Sequence, residues 1–209
     1  MTELASRRGF GAGAFAFAIA GADRAWAQTA NADAMTIGSA TAPVQLVEYA
    51  SAACSHCAHF HATNWATLKT NYIDTGRVRL TLSEMLTAPA AVAFGMFQLA
   101  RCGNADAPEY FRRLAILFER QHAILATGTM GGVVTSLVAA GAEWGLSEAQ
   151  VMASLNDTAG RDRIMRSINA ADAAGVSSTP TFFLNGERLG DDFQNPDVMA
   201  RTLNAALDR

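Results

Sequence analysis

Cys54-Ser55-His56-Cys57 sets two thiols three residues apart, a spacing that places them one turn apart at the start of a helix. Thiols so placed can form and break a small disulfide. One must be exposed with a lowered pKa, and the second must resolve the mixed disulfide that the first makes. Cys54 falls where the first N–H groups of the helix point outward, so those donors and the helix dipole favour its thiolate. His56 lies between the thiols and, when protonated, adds a positive charge that stabilises the thiolate further. Stabilising the reduced, ionised form makes the corresponding disulfide more oxidising. Cys57, one turn in, is shielded and suits the resolving role.

The same pair could be half of a zinc site. The chain has three cysteines, Cys54, Cys57 and Cys102, which excludes a four-thiolate centre. His59 and His61 follow closely, and Cys54, Cys57, His59 and His61 could in principle ligate copper or zinc. However, His59 is two residues from both Cys57 and His61, so the set does not share one helix face. No physiological metal site is expected, and His59 and His61 read as solvent-facing or packed helix residues. His122 reads as a surface residue. Cys102 ends an apolar segment containing Phe94, Phe97 and Leu99, which suits a buried inert thiol better than a third redox cysteine.

The elements that must position these thiols follow from local pattern. Val44 to Tyr49 is a near-continuous apolar run with β-branched residues, as in a buried central strand. Ser55 to Asp74 reads as a helix, with Phe60, Trp65, Leu68 and Tyr72 at helical spacing and Gly76 as its stop. Residues 77–82 alternate like a second strand, and a short strand is expected near Met35 to Ile37. From Ala90 to about Asn156 four helices are expected: Ala90 to Cys102, Glu109 to Gln121, Gly131 to Ala140 and Ser147 to Leu155. A run near Val133 is ambiguous with strand, and Ser147 with Gln150 forms a candidate capping box. A longer helix from Asp157 to Ala174 ends at Gly175. Strand character returns at Thr181 to Leu184, Asn185-Gly186 signals a hairpin to Glu187-Arg188-Leu189, and Asn195-Pro196 opens a last helix to about Leu207. Strands on both sides of one helical block suggest a single sheet interrupted by an insertion.

The ends of the chain bear on its location. Arg7-Arg8, the moderately apolar run Gly11 to Gly21 and the small-x-small site Ala25-Trp26-Ala27 resemble a twin-arginine export signal covering residues 1–27. The apolar run is too short for a membrane span, which needs about 20 residues. The formal net charge is −3 at pH 7, and removing a segment richer in arginine than in acid leaves residues 28–209 more acidic still. With no basic stripe, nucleic acid and anionic membrane surfaces are not expected partners. Half the residues are hydrophobic, enough for a core without structural disulfides.

The segment Val47-Glu48-Tyr49-Ala50-Ser51-Ala52-Ala53-Cys54-Ser55-His56-Cys57-Ala58-His59-Phe60 resembles the active-site segment of the DsbA-like branch of the thioredoxin superfamily. Val176-Ser177-Ser178-Thr179-Pro180-Thr181-Phe182-Phe183-Leu184-Asn185-Gly186 resembles the loop in which that family sets a cis-proline against the cysteine pair. The resemblance spans about residues 36 to 207. It implies an α/β thioredoxin-like fold with an inserted all-helical domain over about residues 88–156. It also implies Cys54 as nucleophile, Cys57 as resolving cysteine and Pro180 as the cis-proline. Thr179 would offer its backbone to an extended substrate strand. Glu48 would be the buried acid that takes or supplies the proton of Cys57. The family commonly carries proline where this chain has Ser55.

The expectation is therefore a periplasmic thiol–disulfide oxidoreductase, monomeric and without a cofactor. It would donate the Cys54–Cys57 disulfide to exported proteins and be reoxidised by a membrane partner of the DsbB type. The rivals are a reductase or isomerase kept reduced by a DsbD-type partner, and a copper- or zinc-binding periplasmic protein.

Overall fold

The computed structural model describes residues 33–209, and the expected export signal with its cleavage site near Ala27 lies outside the described residues. A central strand carries the cysteines into a helix. Strand β2 (Val44–Ala50) runs between β3 (Val78–Glu84), parallel to it, and β4 (Thr181–Leu184), antiparallel to it. Strand β1 (Met35–Ile37) closes one edge against β3 and β5 (Glu187–Arg188) the other against β4, giving the order β1-β3-β2-β4-β5. Being flanked on both sides, β2 is apolar on nearly every position that faces a layer: Val44, Leu46 and Ala50 are fully buried.

Helix α1 (Ser55–Leu68) follows β2 directly and passes into a wide turn over Lys69–Ile73 before Gly76, at φ +74°, releases the chain into β3. The single expected helix from Ser55 to Asp74 thus changes its winding in the last turn. Between β3 and the next long helix lie α2 (Ala90–Arg101), α3 (Ala107–Ala126), α4 (Met130–Glu143) and α5 (Glu148–Leu155). The last three of these starts are capped by side chains. Asp106 accepts from the Glu109 N–H, Thr129 from Gly132, and Ser147 with Gln150 forms the full capping box. The run near Val133 is helical, because Val133 and Leu137 pack one turn apart in the core.

Helix α6 (Thr158–Ala173), capped by Asp157, returns the chain to the sheet. Asn185 and Gly186 at φ +47° and +91° make the tight β4–β5 turn. Asn195 then caps α7 (Pro196–Leu207) by accepting from Asp197 and Val198. One hydrophobic cluster runs from the sheet (Leu46, Leu80, Leu82, Phe182) through α1 (Phe60, Leu68) into the inserted helices (Met96, Phe97, Tyr110, Leu114, Leu137). The helical block therefore shares its core with the sheet.

Candidate active site

Cys54 occupies the N-cap of α1 in an extended conformation, with φ −82° and ψ +121°. Its own N–H donates to Ser51 O at 3.0 Å and its carbonyl accepts from Ala58. The loop between β2 and α1 is fixed from the helical block. Gln121 Nε2 donates to Ala52 O at 2.8 Å and to Cys54 O at 2.9 Å, and Thr87 donates to Ser51 Oγ from both its N–H and its hydroxyl. Neither Gln121 nor Thr87 carries a local sequence signal for this role, because each acts over more than thirty residues of chain.

Across from the thiols the Thr179–Pro180 peptide is cis, as the resemblance implied; a second cis bond, Ala88–Pro89, leads into α2. Cys54 is half-buried and its Sγ donates to Thr179 O at 3.3 Å. Three chain segments meet at this point: the β2–α1 turn, the loop before β4, and α3.

The two thiols are driven apart chemically. Cys54 is lowered from 9.0 to about 5, first by the hydrogen bond from the Cys57 side chain, then, against burial, by the Thr179 side chain and the main-chain N–H groups of Cys57 and His56. The helix start thus acts through its N–H groups. His56 contributes its amide, and its ring is exposed. Cys57 is fully buried, and burial first, then its bond to Cys54 and the charge of Glu48, pushes its thiol far up. A thiol that ionises readily and one that keeps its proton are thereby set one turn apart.

Glu48, on β2 between Leu82 and Phe182, is fully buried. Of the two readings offered for His61, solvent-facing or packed, the structure shows the packed one and adds a partner the sequence reading did not name. His61 is buried, with Nε2 3.1 Å from both carboxylate oxygens of Glu48. The signal was present: His61 lies four residues after Cys57 on the face that also buries Phe60, Asn64 and Leu68, and a buried carboxylate needs a donor. His59 is exposed. Among the described residues no group of three or more His, Cys, Asp or Glu side chains is placed to hold a metal ion. Cys102 is buried at the end of α2, with its Sγ donating to Gln150 O at 3.5 Å, away from the pair.

The Thioredoxin family model matches residues 30–205. A Rickettsia typhi protein provisionally named a protein-disulfide oxidoreductase is 26% identical over 175 residues, covering 83% of this chain and 62% of its own length. The chain thus spans about three fifths of that curated relative. Oxidised BdbD from Bacillus subtilis superposes with a TM-score of 0.71 at 17% identity, over 85% of this chain and 94% of the other. Wolbachia pipientis α-DsbA1 does so with 0.71 at 20% identity, over 84% and 91%. These two likenesses are of fold: both extend through the inserted helices as well as the sheet. With the family match running from before β1 to within α7, this chain belongs to the thioredoxin family.

Proposed function

We propose that the chain is a thiol–disulfide oxidoreductase that donates the Cys54–Cys57 disulfide to the thiols of exported proteins. The observation that carries this is the opposed protonation of the pair, with Cys54 held at about 5 and Cys57 far above the ordinary thiol range. In the first step a substrate thiolate attacks Cys54 Sγ. The Cys54–Cys57 bond breaks, and Cys57 leaves and takes a proton, with Glu48 as its source. A second substrate thiolate then attacks the substrate sulfur of the mixed disulfide, and Cys54 leaves as the stabilised thiolate. Two electrons pass from the substrate dithiol to the pair. The Thr179 backbone beside Cys54 suits pairing with an extended substrate segment.

Because Cys54 is the better leaving group, the stabilised dithiol favours the oxidase direction. The R. typhi relative's name is consistent with this chemistry. The reading includes export to the periplasm and reoxidation by a membrane partner of the DsbB type. Among the described residues no helix is long and apolar enough to cross a membrane. Ser55, in place of the family's common proline, favours the second reading, a reductase or isomerase supplied by a DsbD-type donor. Equilibration with glutathione separates the two. A reduction potential above about −180 mV is expected, and one near the thioredoxin value of about −270 mV overturns the oxidase reading.

A further inference from the structure

Glu48 is fully buried, and the hydrogen bonds to its carboxylate come from His61 Nε2, 3.1 Å from each oxygen. The imidazole is clamped. It stacks on Phe118 at 4.3 Å and on Trp65 at 5.5 Å between ring centroids, with Phe60 edge-on at 5.7 Å. Its Nδ1 is buried with no hydrogen-bond partner. A carboxylate only accepts, so the proton of the neutral ring lies on Nε2 and Nδ1 is a bare acceptor. An imidazolium would leave an N–H buried without an acceptor, the more costly arrangement. The pair therefore carries one negative charge, and that charge acts on Cys57, one turn before His61 on α1.

We propose that His61 is a positioning residue for the resolving step, holding Glu48 ionised and aimed so that Glu48 takes the proton of Cys57 as it attacks. The proposal rests on the thiol–disulfide reading. Ionising Cys57 beside an ionised Glu48 would put two anions into one dry pocket. Passing the proton to Glu48 means the pocket never holds more than one negative charge, and that charge leaves with the substrate thiolate. In that step the Cys57 S–H proton moves to a Glu48 oxygen, Cys57 Sγ bonds to Cys54 Sγ, and the Cys54–substrate S–S bond breaks with the substrate sulfur leaving as thiolate. In reverse, Glu48 returns the proton to the departing Cys57. No further oxidant or reductant enters.

Without a donor at position 61, Glu48 would be a buried carboxylate with nothing to hold its charge. It would be neither held nor aimed to take the proton of Cys57. The other ionisable groups coupled to this pocket are few. Cys54 and Cys57 lie on α1. Tyr110 on α3 is held neutral by burial and by the charge of Glu84, and Glu84 on β3 is itself paired with Arg101 from α2. Strand β4 faces Glu48 with Phe182.

The test uses the reduced protein and a symmetrical disulfide of a fluorescent peptide in stopped flow. The first phase, attack by Cys54, releases one peptide; the second, attack by Cys57, releases the other. His61→Phe keeps the ring stack and removes the donor, His61→Gln restores an N–H toward Glu48, and Glu48→Gln removes the acceptor. The second phase is expected to slow about tenfold or more at pH 7 in His61→Phe and Glu48→Gln. Its rising limb with pH should move to higher pH in His61→Phe, the first phase should stay within about twofold, and His61→Gln should recover most of the second phase. An unchanged second phase and pH profile in His61→Phe overturns the proposal. So does a His61→Gln variant as slow as His61→Phe, a comparison that holds even if His61→Phe folds poorly. Failure of the wild-type protein to show either phase would instead overturn the thiol–disulfide reading itself.

Discussion

Thr179→Val isolates one donor from the group that stabilises the Cys54 thiolate. The Thr179 hydroxyl is buried and has no partner while Cys54 is a thiol donating to the Thr179 carbonyl. Once the sulfur is ionised that hydroxyl is free to turn toward it, and the Thr179 side chain is the second donor after Cys57 in lowering Cys54. Valine keeps the branched shape and the carbonyl and removes only the hydroxyl. A hydrogen bond to an anion is worth about 1.5–3 kcal/mol when buried. Cys54 is half-exposed, so solvent screening brings this to about 1.4 kcal/mol, one pKa unit. Cys54 should then titrate near about 6 in place of about 5. At pH 7 both proteins are ionised, so the loss falls on the reduced form alone. For a two-electron couple about 1.4 kcal/mol is about 30 mV, and the potential should fall by that amount. Thiolate absorbance read against pH gives the first number and glutathione equilibration the second. Folding should not suffer, since the variant removes an unpaired buried hydroxyl. A midpoint unchanged to within about 0.3 units, or a potential that rises, would refute the donor role.

Three further perturbations probe the supports. Reduced protein should gain stability over Cys54→Ser as pH rises from about 5 to 9.0. The folded thiol is depressed, so the unfolded state binds the extra proton across that window; the gain is lost as pH falls through the folded value. The slope should stay below about 1.4 kcal/mol per pH unit, because Cys54 is half-exposed, and urea midpoints of the two proteins at each pH measure it. Gln121→Leu leaves the Ala52 and Cys54 carbonyls without their donor; it should cost about 2 kcal/mol in urea unfolding and raise exchange at the amides of the loop. Arg101→Met strips the buried Glu84 of its cation while Tyr110 still donates to it. A loss of about 3–5 kcal/mol is expected, read as a fall in Tm of about ten degrees or more.

The parts of the site readable in the sequence are those set by local chemistry. Val44–Ala50 is a strand because its apolar run is covered on both sides, and Cys54 sits at a helix start because Ser55 onward carries helical spacing. The capping box at Ser147 and Gln150, the Asn185-Gly186 turn and the Asn195-Pro196 start each depend on four residues or fewer. Pro180 and Glu48 were legible through resemblance, which carries long-range information that spacing lacks. His61 was legible in principle, by its spacing from Cys57, but only once Glu48 is known to be buried beside it; two histidines two residues apart otherwise read as a surface pair. Gln121, Thr87 and the cis bond before Pro89 had no such route. A glutamine in an amphipathic helix looks the same whether it faces water or two carbonyls of a distant loop.

That distant loop is held by a helix whose whole inner face serves the site. Along α3, Tyr110 donates to Glu84 at the end of β3, Phe111 stacks on Trp65 at 5.7 Å, Phe118 stacks on His61 at 4.3 Å, and Gln121 holds the Cys54 loop. Positions 111, 114, 118 and 121 recur at helical spacing, so one rigid surface touches the sheet end, the cysteine helix and the ring that holds Glu48. The opposite face carries exposed ion pairs, Arg112 with Glu109 and Arg120 with Glu143, which add little stability. A substitution on the inner face therefore has two readouts, stability and thiol chemistry, while one on the outer face has neither. The helical block is in this sense a wall of the cysteine site. The same β2–α1 start carried by a sheet without α3 would lack both the donor that fixes the Cys54 loop and the ring that clamps His61 against Glu48.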